Sequence, residues 1–88
     1  MVYLLFTYPN CPNCESLKDS LSSRGIEYEE LDLTRKESRQ RIREFLQVSK
    51  RDESGGIILP TLIIKEGEEV KAVLNSREEF EQWWPSKE

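Results

Sequence analysis

The sequence contains no histidine and only two cysteines, Cys11 and Cys14. Those counts remove several kinds of chemistry. A structural zinc site takes four ligands, and two thiolates without an imidazole supply half of them. A metal centre would therefore need a dimer or borrowed ligands, and none is expected. One cysteine pair is also too little for the disulfide framework of a small secreted scaffold. No apolar run approaches the roughly 20 residues that cross a membrane. Met1 leads straight into a short apolar run at 2–6, with no positively charged lead-in. The expectation is a cytoplasmic protein without membrane contact. Basic charge is in deficit as well, with 13 Lys and Arg against 17 Asp and Glu and a net charge of -4. The chain as a whole has no attraction for nucleic acid. Internal repeats and low-complexity segments are absent.

What remains fits one domain over residues 1–88, expected to act as a monomer. Hydrophobic residues make up 36% and charged residues 34%, which is enough apolar surface for a packed core and excludes a disordered chain. A chain of this length buries only about 60% of its unfolded surface, so its stability margin is thin. The basic residues are concentrated. Between Arg35 and Arg51, seven of them face two acids, a local charge of +5, which leaves -9 for the rest of the chain.

The periodicity predicts the order β-α-β-α-β-β-α. Residues 2–8 are apolar, aromatic or β-branched, as in a strand buried on both faces, and Pro9 and Asn10 end it. Pro12 suits the first helical position, Cys14, Leu17 and Leu21 share a face, and Gly25 stops the helix. A second strand is expected over 26–33. Thr34 and Glu37 form a capping box for a second helix, which buries Ile42, Phe45 and Leu46. Residues 49–56 read as a polar loop. Residues 57–64 read as a strand interrupted by Pro60, and a turn at 66–68 leads into a strand at 70–74. Ser76 and Glu79 form a second capping box, opening a helix with Phe80, Trp83 and Trp84 on one face and Pro85 at its end. At least one tryptophan belongs to the core. The opening β-α-β implies parallel strands, and the later hairpin adds an antiparallel pair. The fold class is α/β, a mixed four-stranded sheet flanked by helices.

Cys11-Pro12-Asn13-Cys14 falls where the first strand hands over to the first helix. A sulfur there faces unpaired backbone N–H groups and the positive end of the helix dipole. Both favour thiolate over thiol, and cysteines so placed have pKa values of roughly 3.5–7.5. Cys11, at the open end, is the expected nucleophile, and Cys14, one turn in, is placed to resolve a mixed disulfide. The competing readings are a structural disulfide, which over so short a loop contributes only about 2 kcal/mol, and a metal or iron–sulfur carrier. Redox exchange is the reading that CxxC in a β-α-β setting supports best.

With these residues in view, the chain resembles the glutaredoxin branch of the thioredoxin-like fold. Cys11-Pro12-Asn13-Cys14 looks like that family's Cys-Pro-Tyr-Cys, Thr7-Tyr8 leads into it, and Leu21-Ser22-Ser23-Arg24-Gly25-Ile26 leaves the first helix in a familiar way. Leu59-Pro60-Thr61 falls where the family carries Val-Pro, whose proline is cis and lies beside the active site; a trans proline at a strand start is the alternative. The resemblance implies a thiol–disulfide oxidoreductase with no bound cofactor, glutathione as a possible co-substrate, and a disulfide-bearing protein or small molecule as substrate. Its electron donor would be glutathione or a flavoprotein reductase. It makes Pro12, Asn13, Tyr8, Leu59 and Pro60 the supporting residues. It also places the basic segment near Cys11, so Arg41, Lys50 and Arg51 become candidates for binding an anionic substrate, with a plain solvated helix face as the alternative. Asn75 and Ser76 are further candidates at the start of the last helix. Tyr8 stands where the family often has lysine, and the stretch Val73-Leu74-Asn75-Ser76-Arg77 lacks the Gly-Gly-x-Asp turn that holds the γ-glutamyl end of glutathione. Those differences keep two rivals open: a redoxin fed by thioredoxin reductase, like those that reduce ribonucleotide reductase, and a non-catalytic redox sensor that only switches a binding surface.

Overall fold

In the computed structural model, which describes residues 1–84, the chain forms β1 (Val2–Thr7), α1 (Pro12–Ser23), β2 (Glu29–Asp32), α2 (Lys36–Ile42), a 3-10 turn (Arg43–Phe45), β3 (Thr61–Glu66), β4 (Glu69–Leu74) and α3 (Arg77–Trp83). The sheet order is β2-β1-β3-β4. β1 and β2 are parallel, whereas β3 lies antiparallel to both β1 and β4. This is the mixed sheet expected from the sequence. The helix-closing role expected of Pro85 lies outside the described residues.

Alternation along β1 sends its apolar side chains to two faces. Leu5, with Leu62 and Ile64 of β3, packs against Leu17 and Leu21 of α1 and Phe80 of α3. Leu4 and Phe6, with Ile63, pack against Ile42 and Phe45 on the other side. Trp83 and Trp84 are partly buried against the first of these clusters. A strand in the middle of the sheet, apolar on both faces, is what the near-continuous run in β1 encodes.

Four details depart from the sequence reading. Helix α2 ends at Ile42, so that Phe45 lies in the 3-10 turn and Leu46 after it is only partly buried. β2 covers only four residues, because Ile26 and Tyr28 pack against the core before strand pairing begins. Thr34 does not cap α2. Asp32 takes both the main-chain N–H and the hydroxyl of Thr34, at 2.8 and 2.7 Å, and this side-chain turn withdraws the hydroxyl from the helix. Arg35 is the N-cap residue instead, without a side-chain cap. Residues 57–60 are not strand, and β3 begins only after Pro60, which has no N–H to give a ladder. The Leu59–Pro60 peptide bond is cis.

Candidate functional site

The site is assembled at one end of the sheet. Thr7 is the last residue of β1, and Phe6 pairs with Thr61, the first residue of β3. The chain leaving β1 and the chain entering β3 therefore meet at the same edge, one carrying Cys11 and the other Leu59 and Pro60. Between Thr7 and Cys11 the backbone turns through Asn10, whose φ of 58° is left-handed. Asparagine tolerates that region better than most residues. The turn then delivers Cys11 to the start of α1.

Cys11 is the N-cap of α1, and its sulfur accepts a hydrogen bond from the Cys14 N–H at 3.1 Å. A sulfur seated on an otherwise unpaired helix N–H, at the positive end of a three-turn helix, gains stabilisation as its negative charge grows. The two cysteines are joined as a disulfide, with Cα atoms 5.2 Å apart. Their surroundings differ: Cys11 is partly exposed, whereas Cys14 is 1% exposed, on the face of α1 shared with Leu17 and Leu21. Pro12 fills the first helical position, and Pro12, Asn13 and Tyr8 are exposed around the pair. Leu59 is partly buried against the second core cluster.

A polar network lies alongside. The buried Thr7 hydroxyl donates to Glu30 (3.0 Å), and Lys18 of α1 pairs with both Glu30 (3.2 Å) and Glu15 (2.7 Å). These contacts, led by Glu15, hold the Lys18 ammonium in its charged form. The sequence reading passed over this network; the one sign of it was a hydroxyl residue at the end of an otherwise apolar strand.

The other candidates are engaged with neighbouring elements. Arg41 pairs with Glu29 (3.4 Å) and Glu44 (3.6 Å). Glu29 opens β2 beside Leu4, at the end of that strand away from the cysteines. Arg41 is also part of the lining of a surface groove of about 390 Å³ between β2 and α2, which contains neither cysteine. Arg51 donates to the Gly55 carbonyl within its own loop, at 3.1 Å. Lys50 pairs with Glu79 of α3 at 3.2 Å. Asn75 is buried, and its side-chain amide donates to the carbonyls of Ile58 and Pro60, both at 3.1 Å. The Ser76 hydroxyl accepts the Glu79 N–H (3.1 Å) and so caps α3 as expected. The return half of that capping box differs, because Glu79 accepts the N–H of Asn75 (2.8 Å) and not that of Ser76. That bond, followed by the one from Lys50, holds the Glu79 carboxyl below its ordinary range. Among the described residues no cluster of three or more potential metal ligands occurs.

A partly exposed N-cap sulfur linked to a buried partner three residues on, at one end of a four-stranded mixed sheet, marks a redox protein of thioredoxin-like fold. The chain belongs to the glutaredoxin family, whose sequence profile matches residues 3–70. Among solved structures it is similar to the glutaredoxin-like protein NrdH-redoxin from Escherichia coli. That likeness has a TM-score of 0.60 and 19% identity over 88% of this chain and 84% of the other. It is likewise similar to a crystallised thioredoxin-like protein, with a TM-score of 0.60 and 24% identity over 91% of this chain and 96% of that one. No curated protein matches the chain at a significant level. Among the described residues no helix is long and apolar enough to cross a membrane.

Proposed function

We propose that the protein is a dithiol thiol–disulfide oxidoreductase that reduces disulfides through Cys11 and Cys14. The observation that carries this reading is the asymmetry of the pair, one sulfur at the open N-cap of α1 and the other buried. In the reduced protein the Cys11 thiolate attacks a substrate disulfide, forms a mixed disulfide and releases one substrate thiolate. The Cys14 thiolate then attacks the Cys11 sulfur, which closes the internal disulfide and frees the second substrate thiolate. Two electrons pass to the substrate, the two released thiolates take up two protons, and a reductant must reopen the pair. Related pairs have potentials of roughly -200 to -270 mV, the range expected here.

Two electron routes compete, glutathione and a flavoprotein reductase. One observation favours the second. Three donors at the start of α3 are engaged within the fold: the Asn75 N–H goes to Glu79, the Glu79 N–H to Ser76, and the Asn75 amide to the loop before β3. Donors engaged in this way are not free for the γ-glutamyl end of glutathione, and Arg77 has the wrong sign for its ammonium. The Escherichia coli NrdH-redoxin is described as having a thioredoxin-like activity profile, which agrees with this route. The test is NADPH consumption with a protein disulfide, driven in parallel by glutathione with glutathione reductase and by thioredoxin reductase. Turnover with thioredoxin reductase that disappears in Cys11→Ser is the expected result. Turnover confined to glutathione would reverse the choice of donor, and a Cys11→Ser protein with full activity would end the proposal.

A further inference from the structure

Residues 8–13 form the rim around the partly exposed Cys11 sulfur, and none of them is charged. Tyr8, Pro9, Asn10, Pro12 and Asn13 are exposed, and three of these five carry rings. The first charged side chains after the rim, Glu15 and Lys18, are paired with each other at 2.7 Å. Within the rim Tyr8 is the largest group. It is 54% exposed, whereas every other aromatic side chain among the described residues is buried or partly buried. Neither its ring nor its hydroxyl has a partner among those residues. A lone exposed aromatic needs no explanation in itself. The backbone under this one sets it apart. Pro9 fixes its own φ and restricts Tyr8 to an extended conformation, Asn10 is held at φ 58°, and Pro12 starts α1. Tyr8 is therefore carried on a stiff turn three residues from the nucleophile.

A ring presented in this way is prepared for contact, because a stiff turn and two side-chain torsions leave little freedom to lose when a partner covers it. Aromatic anchors of this kind carry much of the energy of protein contacts. We infer that Tyr8 determines specificity by packing on an apolar side chain next to the substrate's disulfide. An apolar flank gains by leaving water for the tyrosine ring and the two prolines. A charged flank of either sign loses water over residues that offer it no opposite charge. The inference rests on the function proposed above and adds to it that the preferred disulfide lies in an apolar stretch of a protein chain.

Three peptide dimers, each joined by one central disulfide, test this, with leucine, aspartate or lysine on both sides of the cysteine. Reduced protein is mixed with each dimer in a single turnover. Each rate is divided by that of dithiothreitol on the same dimer, which removes the effect of flanking charge on the leaving thiol. The wild-type protein should favour the leucine dimer over either charged one by about tenfold, the worth of burying one such side chain. Tyr8→Ser should abolish that preference, mainly by raising the half-saturating concentration of the leucine dimer, and should change the charged dimers by no more than about twofold. Tyr8→Phe keeps the ring and should restore the preference. Alkylation of reduced Cys11 by a neutral reagent should differ by less than about twofold between Tyr8→Ser and wild type, since the ring acts on the substrate and not on the sulfur. Equal rates of the wild type on all three dimers, a uniform loss or no loss in Tyr8→Ser, no rescue by Tyr8→Phe, or altered alkylation overturns the role of Tyr8 alone. A wild-type protein that reduces none of the dimers overturns the function on which the inference rests.

Discussion

Cys11 and Cys14 carry the same thiol in different solvent. Cys11 is reached from outside and sits on a helix N–H, and Cys14 is packed among leucines. After reduction, a neutral alkylating reagent at pH 7 should modify Cys11 at least tenfold faster than Cys14, in line with the exposure and thiolate character that govern cysteine reactivity. Mass spectrometry of tryptic peptides over a time course gives the ratio, and comparable rates would contradict the roles assigned to the two sulfurs. This level of the site was legible in the sequence. A CxxC placed after an apolar strand and opened by Pro12 fixes which sulfur caps the helix, because position in a helix follows from spacing alone. Asn75 was not legible in the same way. Its partners lie 14 to 17 residues away, and nothing near it in the chain announces Ile58 or Pro60.

Among the elements, α3 shows how one acid joins a cap to a loop. Glu79 accepts the Asn75 N–H and the Lys50 ammonium, both of which favour the charged carboxylate and lower its pKa. A carboxyl whose folded-state pKa is lowered stabilises the fold above its unfolded pKa, about 4.3. That contribution is lost as pH falls through the lower, folded-state value. Subtracting the acid-unfolding curve of Glu79→Gln from that of wild type should therefore give a difference that is constant above about pH 5 and shrinks below it. A difference independent of pH would show that the charge is not the operative property. The elements also show where local reading fails. The Thr34 and Glu37 pattern satisfied the rule for a helix start, yet Asp32, two residues earlier, competes for the same hydroxyl and wins through a shorter-range turn. The sequence rule counts a donor and acceptor at the right spacing and does not count rivals. Pro60 has a similar effect on the apolar stretch before β3, where hydrophobicity predicted strand but the ladder has no N–H to use.

Across the whole molecule, the two faces of the sheet are packed by separate helices and share only the backbone of the central strands. Phe80 joins α3 to the first cluster and stacks near Trp83 and Trp84, with ring centroids 6.3 and 5.8 Å away. Removing such a ring typically costs about 3–5 kcal/mol, a large share of the roughly 5–15 kcal/mol that holds a domain together. Phe80→Ala should accordingly unfold at markedly lower urea concentration, and a midpoint within experimental error of wild type would show that the first cluster is not the main support. The charge pattern read from the sequence takes a different form in three dimensions. Three members of the +5 segment are engaged within the fold: Arg41 is matched by Glu29 and Glu44, Lys50 by Glu79, and Arg51 donates to the Gly55 carbonyl of its own loop. A run of like charges along a chain winds around a helix and a loop, and its members meet the acids of neighbouring elements.

The outer strand β2 has a further consequence for crowded solution. Its free side presents unpaired backbone groups, the template on which a strand from another molecule can add. Here that template is only four residues long, and its Glu29 and Glu30 side chains are tethered to Arg41 and Lys18. A foreign strand laid along it would have to strip water from both ion pairs for the sake of very few new hydrogen bonds. The brevity of β2 and its tethered acids thus protect the protein from growing into fibrils at that border of the sheet.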